Sequence, residues 1–311
     1  MKERNIFWND DIVKSPSENL AINRYCVDLI HQGKYDVIAR TYLHDKGVIL
    51  GNRESIDDIN VDFCKQEGYE ITSRPTGGSA IVTGPNLTLC YSVFYNSEKF
   101  GDRFNIHDAY KSITFPLAKN LGEKFSVVGN YYLRYELDDG LVPIAGHAMK
   151  SYNAITQFDG VINIRRFDMN TIEKVLRLRE LWVSDDSKYL KVEGEFYDLQ
   201  GKKTDPDNSS LEFIRSEKQE LEKIIGLEDI GMSVREFKRT FKQSLKEVFG
   251  TLYETEIIVL DKDTIHKYEK EIDVKSHGSG QRFLGHCFVD LVEEEQGIVY
   301  SGKNNRLNTR N

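Results

Sequence analysis

The stretch from 69 to 95, YEITSRPTGGSAIVTGPNLTLCYSVFY, constrains the fold more than any other part of the chain. Tyr69-Glu70-Ile71-Thr72-Ser73 is β-rich, and Ala80-Ile81-Val82 is a second apolar run. A turn at Thr83-Gly84-Pro85-Asn86 then opens a third strand, 87 to 95. Arg74-Pro75-Thr76-Gly77-Gly78-Ser79 lies between the first two strands. Glycine carries no Cβ, so such a loop brings backbone amides and one cation close to a ligand. The competing reading is a plain strand–turn–strand connection. The rest of the chain is read as what is built around this loop.

At 311 residues the chain is long enough for a sizeable core in one large domain or two. A net charge of −8 argues against broad nucleic-acid binding, which needs phosphate-neutralising Lys and Arg. No apolar run approaches the roughly 18 residues of a membrane span, so no membrane partner is expected. The start, MKERNIFWNDDIV, has no signal-peptide apolar core, which points to the cytoplasm. Cys26, Cys64, Cys90 and Cys287 are scattered without a CxxC pair, so neither a disulfide framework nor a metal site is expected.

Ile22, Cys26 and Ile30, beside Ala21, Tyr25 and Leu29, repeat every four residues and predict a helix over 17 to 32. Strands follow at 37 to 43 and 48 to 50, then a helix from 56 to 67 closed by Gly68. A third helix, 106 to 121, must kink or break at Pro116. Next come five short strands, at 125 to 128, 131 to 137, 141 to 147, 151 to 157 and 161 to 164. Turns at Gly129-Asn130, Asp138-Asp139-Gly140 and Asp159-Gly160 interrupt this block. A helix over 169 to 181 closes it. The polar run around Asp205-Pro206-Asp207 reads as a linker, 189 to 209. Helices at 210 to 225 and 233 to 248, a strand at 252 to 260, a short helix at 262 to 270 and a strand at 283 to 292 follow, with a disordered tail. The expected architecture is α+β, a mixed sheet with packed helices over 1 to 188 and a small α+β domain over 210 to 311.

Several of these stretches together resemble a known family. Arg74-Pro75-Thr76-Gly77-Gly78-Ser79-Ala80, followed by Asn86-Leu87-Thr88, resembles the Arg-Arg-x-Ser/Thr-Gly-Gly-x-Ala … Asn-Leu signature of lipoate–protein ligases and octanoyltransferases, of the biotin/lipoate attachment superfamily. Glu18-Asn19-Leu20-Ala21 is similar to the start of the family's first helix, and Val48-Ile49-Leu50-Gly51-Asn52-Arg53 to its strand ending in Gly-Arg. Ile144-Ala145-Gly146-His147-Ala148 resembles the Ile/Val-Ser-Gly-Ser-Ala run, and Asp159-Gly160-Val161-Ile162 the His-Gly-Thr-Leu hairpin. Five short motifs in order are far more specific than a lone Gly-Gly.

The resemblance implies a mixed sheet like that of class II aminoacyl-tRNA synthetases and biotin ligases. In the ligases, lipoate and ATP with Mg²⁺ give an acyl-adenylate. The acyl group then passes to a lysine of a lipoyl carrier domain protein. In the octanoyltransferases the acyl group, octanoate or a relative, comes from a carrier without ATP. By this resemblance Arg74 is the fixed cation. Thr76, Gly77, Gly78, Ser79 and Ala80 lie along the acyl chain and adenylate, with Gly146 facing them. Asn86 is the polar contact to phosphate or metal, and Leu87, Leu89, Tyr91 and Val93 wall a tunnel for the chain.

The departures from the pattern bear on catalysis. The first arginine of the pair is Ser73, and the position of the family's catalytic lysine is Pro143. Lys150 or His147 is expected to stand in for it, Lys150 otherwise being an exposed hairpin residue and His147 a satisfied strand histidine. Cys90 is either a nucleophile or a buried structural thiol. Arg165-Arg166 meets an acidic carrier or stays solvated, and the basic Gly-rich turn of Lys275, His277, Gly278, Gly280 and Arg282 is a second ligand loop or a plain loop. Three functions remain: an adenylate-forming ligase, an ATP-independent acyltransferase, and a non-catalytic protein that binds acyl groups or lipoyl domains.

Overall fold

The computed structural model describes residues 5–100, 106–128, 132–184, 187–198, 202–206, 211–254, 258, 260–269, 298–301 and 307–309. The elements run β1 (Asn5–Lys14), α1 (Pro16–His31), β2 (Val37–His44), β3 (Gly47–Leu50), α2 (Val61–Gln66), β4 (Glu70–Ser73), β5 (Ile81–Thr83), β6 (Thr88–Asn96) and α3 (Ile106–Leu121). Next come β7 (Phe125–Val128), β8 (Tyr132–Leu137), β9 (Gly140–Tyr152), β10 (Ile155–Asn163), α4 (Met169–Val175), β11 (Arg179–Ser184), β12 (Ser187–Val192), β13 (Glu195–Asp198) and β14 (Lys203–Thr204). The chain ends with β15 (Glu212–Ser216), α5 (Glu217–Glu222), α6 (Val234–Phe249), β16 (Thr251–Glu254), α7 (Lys262–Glu269), β17 (Ile298–Ser301) and β18 (Leu307–Thr309).

Ten strands form one mixed sheet in the order β16-β1-β2-β6-β10-β9-β8-β7-β17-β18. β1 runs parallel to both neighbours, and the pairs from β2 through β6, β10 and β9 to β8 and β7 are antiparallel. β4-β3-β5 make a small second sheet and β14-β13-β12-β11-β15 a third. This is the mixed-sheet α+β architecture expected from the pattern.

Side-chain alternation on β6 sorts the two faces of the main sheet. Leu89, Tyr91, Val93 and Tyr95 enter a core with Ile113 and Leu117 of α3 and Phe237, Phe241, Leu245 and Phe249 of α6. The intervening Phe94 meets Ile22, Cys26 and Ile30 of α1 on the other face. α1 starts cleanly because the Ser15 side chain accepts from Glu18 N. α6 forms because its apolar residues recur at helical spacing and Ser233 with Glu236 closes a capping box.

The C-terminal part is organised differently from the linker and accessory domain read from the sequence. The polar run after 188 carries β12, β13 and β14, paired through alternating residues such as Leu190 and Val192 that are buried. The helix read over 169 to 181 stops at Val175, where Leu176 pairs with Ile59, and the chain continues as β11. The helix read from 210 is β15 up to Ser216, which caps the short α5. α6 belongs to the core of the main sheet, and β16 pairs with β1. α3 runs through Pro116 without a break. β1 had no counterpart in the reading, because Asn9-Asp10-Asp11 interrupts its apolar alternation. The tail read as disordered, 301 to 311, contributes β18 and the last residue of β17. The strand read at 283 to 292 and the basic turn 275 to 282 lie outside the described residues.

One prediction separates a shared core from an independent C-terminal domain. Phe241→Ala removes a fully buried ring that packs on Tyr91, 4.8 Å between centroids. It should destabilise the chain by about 3–5 kcal/mol and keep a single unfolding transition, followed by circular dichroism in denaturant. Two transitions with only one displaced would show separate domains.

Candidate functional site

The loop after β4 is wound around its own cation. The Arg74 guanidinium donates to the carbonyls of Ile49 (3.0 Å), Gly77 (2.7 Å) and Ser79 (2.8 Å), and Arg74 N donates to Leu50 O at 2.8 Å. Asn52 N donates to Thr76 O at 3.0 Å, so the end of β3 and the loop are stitched together. The crossing needs glycine at both strands. A Cβ on Gly51 would lie 1.9 Å from Gly78 O, and Gly78 has φ +87°. Two of the sequence motifs thus meet because each provides the gap the other fills.

A third motif joins them from the main sheet. Asp159 on β10 accepts hydrogen bonds from Ser92 Oγ (2.6 Å), Thr76 Oγ1 (3.0 Å) and Gln157 Nε2 (2.8 Å). Ser92 has one hydroxyl hydrogen and gives it to Asp159, so Tyr42 Oη, 3.0 Å away, donates to Ser92. Asn23 Nδ2 donates to Tyr42 Oη at 2.9 Å, and the Arg40 guanidinium donates to Asn23 Oδ1. Arg40 also donates to Asn19 Oδ1 at 2.9 Å, and Asn19 Nδ2 donates to Leu43 O at 3.0 Å. The chain of donors therefore runs one way, from a buried guanidinium on β2 to a half-buried carboxylate on β10. Burial pushes the Asp159 carboxyl above its ordinary range, while the three donors and the Arg74 charge pull the other way. Burial and the Arg40 charge lower His44 to about 3, so its imidazole is neutral at pH 7.

Asp159 opens onto a cavity of about 250 Å³. That exceeds the roughly 150 Å³ that admits benzene in an apolar protein interior. The walls are mostly apolar, with Leu20, Ile49, Ile81, Ile144 and Val161 among them, and Arg74 lies at the loop. A smaller cavity of about 150 Å³ adjoins it across Ser79, Ala80, Leu221 and Ile224. Arg179 borders that second space, paired with Glu217 at 2.9 Å.

The residues singled out in the sequence fall into groups. Arg74, Gly78, Ser79, Ala80, Gly146 and His147 line the larger cavity; Thr76 reaches it through Asp159, and Gly77 accepts from Arg74. His147 Nε2 lies 2.6 Å from Tyr91 Oη, and they share a hydrogen bond. That contact passes over Gly160, where a Cβ would stand 2.2 Å from the Tyr91 ring. Asp159-Gly160 is therefore not a turn but the middle of β10: the glycine makes room for a ring and the aspartate is held by three donors. Lys150 and Asn86 are not among the lining residues, and Asn86 is exposed on the turn between β5 and β6. The tunnel wall is also reversed on β6. Leu89, Tyr91 and Val93 pack toward α3 and α6, and Cys90 is the residue that lines the cavity. Burial and the nearby Asp159 charge push the Cys90 thiol up to about 12. Arg166 pairs with Asp229 at 2.9 Å.

The lipoyl protein ligase A/B catalytic domain model matches residues 15–189. The chain belongs to this lipoate ligase and octanoyltransferase family. Octanoyltransferase LipM of Staphylococcus epidermidis is 28% identical over 114 residues, covering 35% of this chain and 41% of that protein. An octanoyl-GcvH protein N-octanoyltransferase of Geobacillus kaustophilus is 27% identical over 140 residues, 42% of this chain and 48% of the other. Lipoate-protein ligase LplJ of Bacillus subtilis is 27% identical over 103 residues, 30% of each chain. The chain thus spans less than half the length of these curated relatives. Its fold is that of lipoate-protein ligase A solved with ATP (TM-score 0.57, 16% identity, covering 86% of this chain and 93% of that one). It is also that of the bipartite lipoate protein ligase of Thermoplasma acidophilum (TM-score 0.60, 15% identity, covering 91% and 98%). Among the described residues no helix is long and apolar enough to cross a membrane.

Arg40, Tyr42, Ser92 and Gln157 were missed in the sequence, and Asp159 was noted as part of a turn and of the hairpin motif but not as a site residue. The available signal was faint: Ser92 falls two residues after Cys90 on one strand face, and an aspartate inside a strand needs partners.

Two outcomes follow from the geometry. Cys90 should resist iodoacetamide at pH 8 in the folded protein, since about one thiol in 10⁴ is ionised there. Mass spectrometry should find it modified only after denaturation. Arg74→Lys keeps the charge but cannot span three carbonyls, and should cost about 2 kcal/mol or more in denaturant unfolding.

Proposed function

We propose that this protein holds a medium-chain acyl group, lipoyl or octanoyl, in the larger cavity. It passes that group to a lysine of a lipoyl carrier domain. The observation that carries this is a mostly apolar, half-open pocket that ends on the Arg74–Ala80 loop. Ile81, Ile144 and Val161 suit an aliphatic chain, and Arg74 with the glycine-rich backbone suits its carboxyl end.

The acyl group is activated, on this reading, as an adenylate formed from ATP. A covalent relay needs a nucleophile in the cavity. Cys90 is the thiol there, with its ionisation suppressed, and no lysine is among the lining residues. An acyl group held non-covalently must carry its own leaving group, and a mixed anhydride with AMP is one. Arg74 is the cation that lines the cavity at this loop, and its charge favours a phosphate there. Pro143 supplies none; its carbonyl accepts from Ile225 N at 3.1 Å. Lys150 is two residues along β9 from the lining Ala148, within the reach of a long side chain. Mg²⁺ would be held chiefly by the nucleotide phosphates, as this ion commonly is; no cluster of three His, Cys, Asp or Glu side chains suited to a metal occurs among the described residues. The cytoplasm, where ATP and carrier domains meet, is the matching compartment.

ATP–pyrophosphate exchange measured with octanoate or lipoate tests this. Exchange that requires the acid is expected, with Lys150→Ala lowering it at least tenfold. Octanoate binding without exchange would overturn the adenylate step. Octanoyl transfer from a carrier protein without nucleotide would then establish the transferase route, and binding with neither activity a non-catalytic role.

A further inference from the structure

Asp159 is a carboxylate below the surface whose accessible part opens onto the apolar cavity. Its three hydrogen bonds occupy three of about four acceptor positions. Among the described residues no salt bridge is made to it, and the Arg74 charge acts on it through space. Thr76 ties it to the loop at which the carboxyl end of the acyl group is placed. A carboxylate in an apolar space is costly without a cation, and a cation that arrives with a substrate removes that cost.

We propose that Asp159 receives the ε-ammonium of the acceptor lysine and takes one of its protons as the amine attacks the acyl carbonyl. This rests on the acyl-transfer reading of the cavity. In the step, one N–H bond of the ammonium breaks first and its proton goes to the Asp159 carboxylate, which frees the nitrogen lone pair; the second proton, lost as the amide forms, leaves with the departing leaving group. The nitrogen lone pair forms the amide bond to the acyl carbon. The bond from that carbon to its leaving group breaks, and the leaving group, AMP on the adenylate reading, keeps the electron pair. The hydrogen bonds from Ser92, Gln157 and Thr76 hold the carboxylate in place, and they and the Arg74 charge favour its charged form. The titratable and charged groups around it are Arg40 and Tyr42 on β2, Cys90 on β6, Arg74 on the loop, and His147 and Lys150 flanking its partner Ala148 on β9.

The test uses the full chain saturated with octanoate, with butylammonium as the lysine mimic and calorimetric titration as the readout. Butylammonium should bind the octanoate-loaded protein saturably. Asp159→Asn should weaken that binding at least tenfold while octanoate affinity changes less than threefold. Ser92→Ala removes a donor that favours the carboxylate, so the carboxyl titrates higher. The low-pH limb of butylammonium binding should therefore move to higher pH. Equal butylammonium binding by wild type and Asp159→Asn, or none by the loaded wild type, overturns the proposal. If Asp159→Asn does not fold, an unmoved pH limb in Ser92→Ala overturns it. Failure of wild type to bind octanoate sinks the cavity reading itself and this proposal with it, a result distinct from the others.

Discussion

The hydrogen bond from Thr76 to Asp159 is the point on which the site depends. A carboxylate under the surface must be surrounded by donors, and here each donor comes from a different part of the fold. Thr76 brings the loop of the small sheet, Ser92 brings β6, and Gln157 comes from β10 itself, two residues before Asp159. Through Ser92 the requirement extends to Tyr42, Asn23 and Arg40, and so to the seat of α1. Arg74 holds the loop by donating to three of its surrounding carbonyls. The residue that looks most like a ligand-binding cation is also what folds the loop.

The main sheet is the platform for this. One face carries α3 and α6 over a core of large aromatic and aliphatic side chains, and the other carries α1 and the cavity. Gly160 is where the two faces communicate. It admits the Tyr91 ring on the core side and lets Tyr91 reach His147 two strands away. α6 thereby supports the site from behind, through Phe237 and Phe241 against Tyr91.

Much of the site was legible because its motifs need particular residue types at short range. Gly77, Gly78 and Arg74 stand out in any strand–loop–strand reading, and Gly51 and Gly146 were placed by the family's pattern. The polar network was not legible, because Arg40, Ser92 and Asp159 are far apart in sequence and each alone looks like a strand residue out of place. The reversed face of β6 had the same origin: alternation tells which residues share a face and not which face meets the cavity. The C-terminal third was misread where polar strands resemble a linker. β12 buries only Leu190 and Val192 and β13 none of its residues fully, so their composition stays hydrophilic. Glu54, Arg179 and Glu217, around the smaller cavity, likewise meet only through tertiary contacts.

On the proposed function, the acyl chain lies in the cavity between the Arg74 loop and β9–β10. A crystal structure with a non-hydrolysable octanoyl-adenylate analogue tests it most directly. The account predicts the octanoyl chain against Ile81, Ile144 and Val161, its carbonyl end at Gly78 and Ser79, and the Asp159 carboxylate facing that carbonyl. An analogue bound elsewhere, or a chain in the cavity with its carbonyl end turned away from the loop, would contradict it.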